Sequence, residues 1–342
     1  MALFNFICKP SIAEEIILGN SKCPELNILL TKEVKLCLKT TSDQFDKIIE
    51  NDENPIFLRF KNNPTENFKP ILIENQDSAD YLKEQHLKSA IFDNDCETDV
   101  DHTIPKFRIE EKTLDYYKGS YTIDFLKNKF PNKSWGDIFT NIENEKNKKF
   151  WIPKSNALVI NDSYLFQNNK KINNNIVYFG VINLLNLLTA ILPKEVNSEY
   201  HITIFTSNAN LDDFTSRKIF NDFYDQISKL RNYQIHFELI IWDSTFIHKR
   251  FLISNYYTVT MDKGFSVFDE NGKVREDNDL LIRRLFHDID QPGITSYEQN
   301  LNFLNKLSRI YDDSKQFSSK LQNSKGKIFL SSNIDIRNRL LL

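Results

Sequence analysis

The sequence predicts an α/β protein of two domains. Its 342 residues are about twice the length of a typical domain, and 40% of them are hydrophobic, as in folded globular proteins. In the second half, apolar runs of strand length alternate with segments of helical period, the order that gives a sheet with helices on its faces. We expect an N-terminal α+β domain (residues 1–150) and a C-terminal α/β domain (residues 151–342), because the intervening sequence turns polar and charged.

The first half contains short apolar runs between charged connections. Those that predict strands are Glu25–Leu30, Ile56–Phe60 and Pro70–Glu74. We expect a helix over Ser42–Glu50, because Ser42 and Asp43 can cap its free N–H groups. Residues 77–92 also have apolar side chains at near-helical spacing, which favours a helix. The alternative there is a strand over Ser89–Phe92 that enters the turn at residues 93–95.

The second half alternates more regularly. Its predicted strands are Ala157–Asn161, Tyr200–Thr206, Ile235–Trp242, Phe246–Ser254, Tyr257–Val267 and Leu280–Phe286. The predicted helices are residues 176–192, a segment from Asp212 or Asp213 to Leu230, and a long helix opened by the capping box Thr295-Ser296-Tyr297-Glu298. The tail from Lys327 ends in three leucines that would be costly to expose, so we expect it to add a strand or to dock.

Composition excludes several function classes. Only 8 residues are glycine, and no two are closer than the eight positions between Gly264 and Gly272, so neither a Walker A loop nor a dinucleotide fingerprint is present. The net charge of −3 means that any nucleic acid must bind at a local patch. The four cysteines form no C-x-x-C pair, and there is no secretion or membrane-span pattern. We expect a cytoplasmic protein that uses no metal or other cofactor and binds no membrane.

The segment Phe246–Asn255 carries the chemically suggestive pattern His248-x-Arg250, four residues, Asn255. A neutral imidazole can attack phosphorus, and a cation two residues along a strand points to the same face and can neutralise phosphate oxygens. His248 and Arg250 have this geometry if they lie on one strand.

With this pattern, residues 155–268 resemble the phospholipase D-like superfamily, whose signature is His-x-Lys, four residues, Asp. Arg250 stands for the Lys and Asn255 for the Asp, and Gly264-Phe265-Ser266 replaces a Gly-Ser element on the next strand. The resemblance implies an α/β sandwich and a metal-independent phosphodiesterase, with DNA or RNA as its partner. It also implies that His248 is the nucleophile, that Arg250 binds phosphate and that Asn255 orients the imidazole. Because two such motifs face each other in active members, it also implies a homodimer or a protein partner. Modules of this kind often belong to restriction or antiviral defence systems.

Three alternatives stay open. The first is that a second motif exists in the same chain, because His86, Lys88 and Asp93 have the same spacing. The second is that the domain is a catalytically inactive binding or scaffold module within a multi-protein defence complex, because its motif departs from the signature. The third is a metal-dependent phosphatase built on Asp93 and Asp95, although the acidic run from Asp93 to Asp101 is typical of a solvated loop.

Overall fold

The structure, a computed structural model, divides the chain into two compact units, Met1–Tyr117 and Lys118–Leu342. It describes the following residues: 4–19, 34–62, 70–74, 89–93, 106–107, 120–125, 134–144, 155–167, 169–172, 175–196, 198–207, 212–242, 248–284, 296–318, 326–331 and 337–341. The division therefore falls about thirty residues before the boundary expected near residue 150. The reason is that a strand and a helix between residues 118 and 150 pack within the second unit.

The first unit is built on a five-stranded parallel sheet. Its strands are β1 (Phe4–Cys8), β2 (Val34–Lys39), β3 (Ile71–Ile73), β4 (Ser89–Asp93) and β5 (Lys106–Phe107), in the spatial order β3-β2-β1-β4-β5. All of their pairings are parallel. Its helices are α1 (Pro10–Ile17), α2 (Ser42–Glu50) and α3 (Pro55–Lys61). Parallel strands need crossover connections, which α1 supplies between β1 and β2. The unit is therefore α/β, and the expected α+β arrangement is wrong.

Two assignments in this unit need correction, and one part lies outside the described residues. The run Ile56–Phe60 is helical, because the Asn54 side chain accepts hydrogen bonds from the N–H groups of Ile56 and Phe57 and Pro55 occupies the first turn. The segment Ser89–Asp93 is a strand, because it pairs with β1. The helix over Ser42–Glu50 is confirmed, with Thr41 as its cap. The predicted strand Glu25–Leu30 and residues 77–88 are not among the described residues.

The second unit contains an eight-stranded mixed sheet. Its strands are β6 (Ser120–Phe125), β7 (Ala157–Asn161), β10 (Tyr200–Ser207), β11 (Ile235–Trp242), β12 (Arg250–Ser254), β13 (Tyr257–Met261), β14 (Asn278–Arg284) and β15 (Gly326–Leu330). The spatial order is β15-β11-β10-β7-β12-β13-β14-β6. The strands β7, β10 and β11 are parallel, and every other pairing in the sheet is antiparallel. A separate hairpin joins β8 (Asn169–Ile172) and β9 (Asn175–Tyr178).

Helices cover both faces of this sheet, as predicted for the α/β class. They are α4 (Trp135–Asn144), α5 (Phe179–Ile191), α6 (Asp213–Ile227) and α7 (Ser296–Ser318). Leu184, Leu188 and Phe223 of α5 and α6 share one hydrophobic core with alternate side chains of β7, β10 and β11. The other face lies against α7, where the ring of Phe303 stacks on Phe251 with centroids 4.7 Å apart. Because both faces are covered, β10 and β11 are buried along their whole length.

The C-terminal tail docks on the second unit, in agreement with the cost of exposing its leucines. Leu340 and Leu341 are buried, and β15 pairs with β11 as the added strand. The Asn338 side-chain amide donates hydrogen bonds to the carbonyl of Leu158 (2.9 Å) and to Oγ1 of Thr203 (3.0 Å). Within the described ranges, none of the helices combines the length and the apolar character needed to cross a bilayer.

Candidate functional site

The parallel strands of the second unit end at one edge of the sheet, which we call the carboxyl edge. It comprises Asn161–Tyr164 after β7, Ser207 at the end of β10, His248–Arg250 at the start of β12, and Asp262–Phe265 after β13. In open α/β sheets, ligands bind outside the carboxyl ends of the strands. The carboxyl edge is therefore the candidate site, and it contains two of the three residues expected from the sequence.

Asp162 organises the loops of this edge. Its Oδ1 accepts a hydrogen bond from the Tyr164 N–H and its Oδ2 one from the Phe265 N–H, both at 3.0 Å. Burial raises the pKa of the Asp162 carboxyl above its ordinary value, although the two backbone hydrogen bonds and the charge of Arg250 act in the opposite direction. Both carboxylate oxygens are thus engaged in holding backbone, which makes Asp162 a structural residue of the site.

Arg250 is held at the edge by three neighbours. One guanidinium nitrogen donates a hydrogen bond to the carbonyl oxygen of Asp262, and the guanidinium carbon lies 4.5 Å from the centre of the Tyr164 ring. The positive charge also faces the buried carboxyl of Asp162. The preceding residue is fixed as well, because the Asn161 side-chain amide donates to the Lys249 carbonyl at 2.6 Å. The guanidinium is consequently positioned by an aromatic face and a carbonyl.

The structure does not bring the three expected site residues together. His248 is exposed and precedes β12, which begins at Arg250 and not at Phe246 as expected. Asn255 follows the last residue of β12, so it lies about 16 Å along the strand from Arg250. It is buried, and its Oδ1 accepts hydrogen bonds from the backbone N–H groups of Asn156 (3.1 Å) and Ala157 (2.9 Å). The expected role of Asn255 in orienting His248 is therefore wrong, because Asn255 secures the beginning of β7 at the opposite edge.

The loop that carries Gly264 is fixed against the same edge. Gly264 has a φ of +84°, and a Cβ atom there would come within 2.7 Å of Oδ2 of Asp162. Asn278 brackets the loop, since its side chain accepts from the Lys263 N–H (3.0 Å) and donates to the Gly264 carbonyl (3.1 Å). Ser266 contacts Arg275, whose Nη1 lies 3.1 Å from its Oγ. The backbone conformation and these contacts therefore require glycine at position 264, whether or not the site is catalytic.

The possible second motif cannot be placed as a group. His86, Lys88 and Asp95 lie outside the described residues, and Asp93 is the last residue of β4 in the first unit. The second motif and the metal-dependent phosphatase therefore stay hypotheses from the sequence.

The sequence reasoning missed a cluster of ionisable side chains at the other end of the parallel strands. His201 and His236 are direct neighbours on β10 and β11, and Glu199 lies just before β10. Burial, with smaller effects from Arg339 and His236, lowers the pKa of His201 to about 2. A histidine at the second position of each of two largely apolar strands is the signal that could have identified this cluster.

Comparison with known proteins supplies no family for this chain. The sequence matches no protein-family model and has no significant match among curated proteins.

Proposed function

We propose that the second unit binds the phosphate backbone of nucleic acid at the carboxyl edge and does not cleave it. One observation carries the proposal. Arg250 and Asn255 lie at opposite ends of β12, so the basic residues Lys249 and Arg250 are together at the carboxyl edge and Asn255 is not. From the phospholipase D-like hypothesis the proposal retains phosphate binding by Arg250. It combines this with the alternative that the domain is a catalytically inactive binding module.

Charge and exposure support binding at this edge. His248 and Lys249 are exposed, and Arg250 is held beside them in a fixed orientation. Lys263 is also exposed at this edge, where it pairs with Glu276 at 3.3 Å. Lysine and arginine side chains make most contacts to nucleic-acid phosphates, and such contacts need no base-specific pocket. A local group of this kind can act although the whole chain has a net charge of −3.

The surroundings of the motif argue against turnover. Asn255 has no carboxylate and is engaged at the other edge, and both oxygens of Asp162 accept backbone hydrogen bonds. Neither group is therefore placed to orient an imidazole at position 248 or to move a proton for it.

The sequence supports a cytoplasmic location, because its four cysteines form no C-x-x-C pair and it has no secretion pattern. Cys8 and Cys37 are both buried in the core of the first unit. We propose a reducing compartment from the sequence pattern.

The decisive experiment measures binding of fluorescently labelled single- and double-stranded DNA and RNA oligonucleotides over a range of salt concentrations. The variant is His248→Ala/Lys249→Ala, and we expect its affinity to be about tenfold weaker with a shallower salt dependence. Lys229→Ala is the matched control, because Lys229 is exposed near the end of α6 and pairs with Asp225 at 2.6 Å. Equal affinity of the double variant and the wild type would contradict the proposal.

The nuclease hypothesis makes a different prediction for the same samples. It requires cleavage that resists EDTA, disappears in His248→Ala and depends on a dimer that pairs two motifs. Multiple-turnover cleavage with these properties would overturn the binding-only proposal and restore His248 as nucleophile.

A further inference from the structure

The buried cluster Glu199, His201 and His236 lies at the amino ends of β10 and β11. His201 and His236 are paired in the parallel register of these strands, so their side chains leave the same face of the sheet. Their rings are perpendicular, with centroids 5.1 Å apart. Both residues are at least nine-tenths buried, with exposed fractions of 6% and 4%, whereas the Glu199 side chain is 46% exposed.

One nitrogen of each histidine ring in this cluster, Nε2, makes no hydrogen bond with a described residue. Among the described residues, Nε2 of His201 and Nε2 of His236 make no hydrogen bond, although both atoms are out of contact with solvent. Oε2 of Glu199 lies 2.9 Å from Nε2 of His236, so this nitrogen has an ion-pair partner, whereas Nε2 of His201 has none among the described residues. A buried polar atom without a partner is costly and calls for an explanation.

We propose that His201, His236 and Glu199 bind a divalent transition-metal ion of the zinc class. Two imidazoles and a carboxylate are a common ligand set for zinc that leaves a fourth position for water. One candidate ligand atom from each residue can be chosen so that the three lie within 4.8 Å of one another. Tetrahedral zinc places its ligand atoms about 3.4 Å apart, so the longest separation in the group must shorten by up to about 1.4 Å. The Glu199 side chain is partly exposed and can adjust its position as the ion binds.

The ionisation of the cluster suits a metal. Imidazole binds metal in its neutral form, and burial keeps His201 neutral by lowering its pKa. Glu199 supplies the negative charge and lies on the solvent side, which gives an ion a route of entry. The positively charged group that opposes a cation is Arg339, whose Nη2 donates to the backbone carbonyl of Glu199 at 2.9 Å.

Metal binding would act on the C-terminal tail. Nδ1 of His201 accepts a hydrogen bond from the backbone N–H of Arg339 at 3.3 Å. A metal on Nε2 moves the ring proton to Nδ1, which then faces that N–H and can no longer accept from it. This bond is long and therefore weak, so its loss is compatible with binding. We expect the metal-bound protein to hold residues 337–341 less firmly than the metal-free protein.

The test titrates the full chain, stripped with chelator, with Zn²⁺ by calorimetry and with Co²⁺ by absorption spectroscopy. We expect one ion per chain and, with Co²⁺, the visible bands of a low-coordinate site without the near-ultraviolet band of a thiolate ligand. The Glu199→Gln variant, which changes a partly exposed residue, should bind at least about tenfold more weakly. His201→Gln/His236→Gln should lose the site, and His248→Ala, which removes an exposed imidazole elsewhere, should retain it.

Several outcomes would overturn the assignment. These are the absence of saturable binding, a thiolate band that assigns the ion to cysteine, and unchanged affinity in Glu199→Gln. If the double histidine variant does not fold, Glu199→Gln and the Co²⁺ spectrum of the wild type still decide the matter. Faster hydrogen exchange of residues 337–341 on adding Zn²⁺ is expected, and slower exchange would contradict the coupling to the tail.

Discussion

Asp162 and Gly264 approach each other so closely that a Cβ atom on Gly264 would lie 2.7 Å from Oδ2 of Asp162. The carboxylate cannot simply turn away, because Oδ2 accepts the Phe265 N–H and Oδ1 the Tyr164 N–H. This contact joins the end of β7 to the loop after β13. It therefore fixes the geometry of the carboxyl edge before any ligand binds.

The Gly264→Ala substitution should destabilise the protein through both backbone strain and this contact. Gly272→Ala is the matched control, because Gly272 also has a positive φ (+73°) but no atom within 4 Å of an added Cβ. We expect the control to lose about 1–2 kcal/mol and Gly264→Ala to lose at least about 1 kcal/mol more. Urea unfolding followed by tryptophan fluorescence measures the difference. Equal losses in the two variants would mean that the Asp162 carboxylate moves away from the added methyl group without lowering the free energy of unfolding.

Asn255→Ala should lower stability without changing nucleic-acid binding. The substitution leaves the buried N–H groups of Asn156 and Ala157 without their acceptor, which costs about 2 kcal/mol. Asn271→Ala, in an exposed turn, should have little effect. The measurements are urea unfolding and oligonucleotide affinity in the same buffer. A clear loss of affinity in folded Asn255→Ala would return this residue to the binding site.

The metal-free protein should lose stability in mild acid because of His201. Its folded pKa of about 2 lies below the ordinary value of 6.5, so between these values the unfolded chain binds more protons. The resulting stability is present above the unfolded pKa and declines as pH falls towards the folded pKa. Between about pH 7 and pH 5.5 this loss is about 1 kcal/mol. Urea unfolding in EDTA at several pH values measures it.

Two histidine variants identify the source of that slope. His201→Gln has no imidazole to protonate and should have a flatter dependence of unfolding free energy on pH. His248→Gln, which changes an exposed histidine outside the cluster, is the matched control. An unchanged slope in His201→Gln would assign the acid sensitivity to another group.

Asp279→Asn should stabilise the protein near neutral pH. Partial desolvation and the like charges of Asp124 and Asp262 raise the pKa of the exposed Asp279, and Asp124 is its direct partner across β6 and β14. The folded state therefore favours the protonated carboxyl, and its contribution to stability is lost as pH rises through the raised pKa. The gain from the amide should disappear in acid and shrink in high salt. Asp225→Asn, which removes the partner of Lys229, should bring no gain.

Local sequence was enough where an element is long and its pattern unambiguous. The strand Ile235–Trp242 is buried on both faces and reads as a nearly continuous apolar run, and its bounds are those predicted. The helix Ser42–Glu50 combines polar capping residues with a helical spacing and is also confirmed. Short apolar runs were ambiguous, because four or five apolar residues fit a strand or one helical face equally well. For this reason Ile56–Phe60 was assigned wrongly, and for residues 89–92 the favoured helix was wrong while the alternative, a strand over Ser89–Phe92, is confirmed.

The sequence by itself determined the α/β alternation of the second half, because the periods of strands and helices are local properties of the chain. The tertiary structure alone decided which chemical groups meet. Strand register places His201 beside His236, which are thirty-five residues apart in the sequence. Arg250 and Asn255 are only five residues apart, but they lie at opposite ends of the extended strand β12. Register depends on pairing between distant segments, so a motif within one strand does not reveal it.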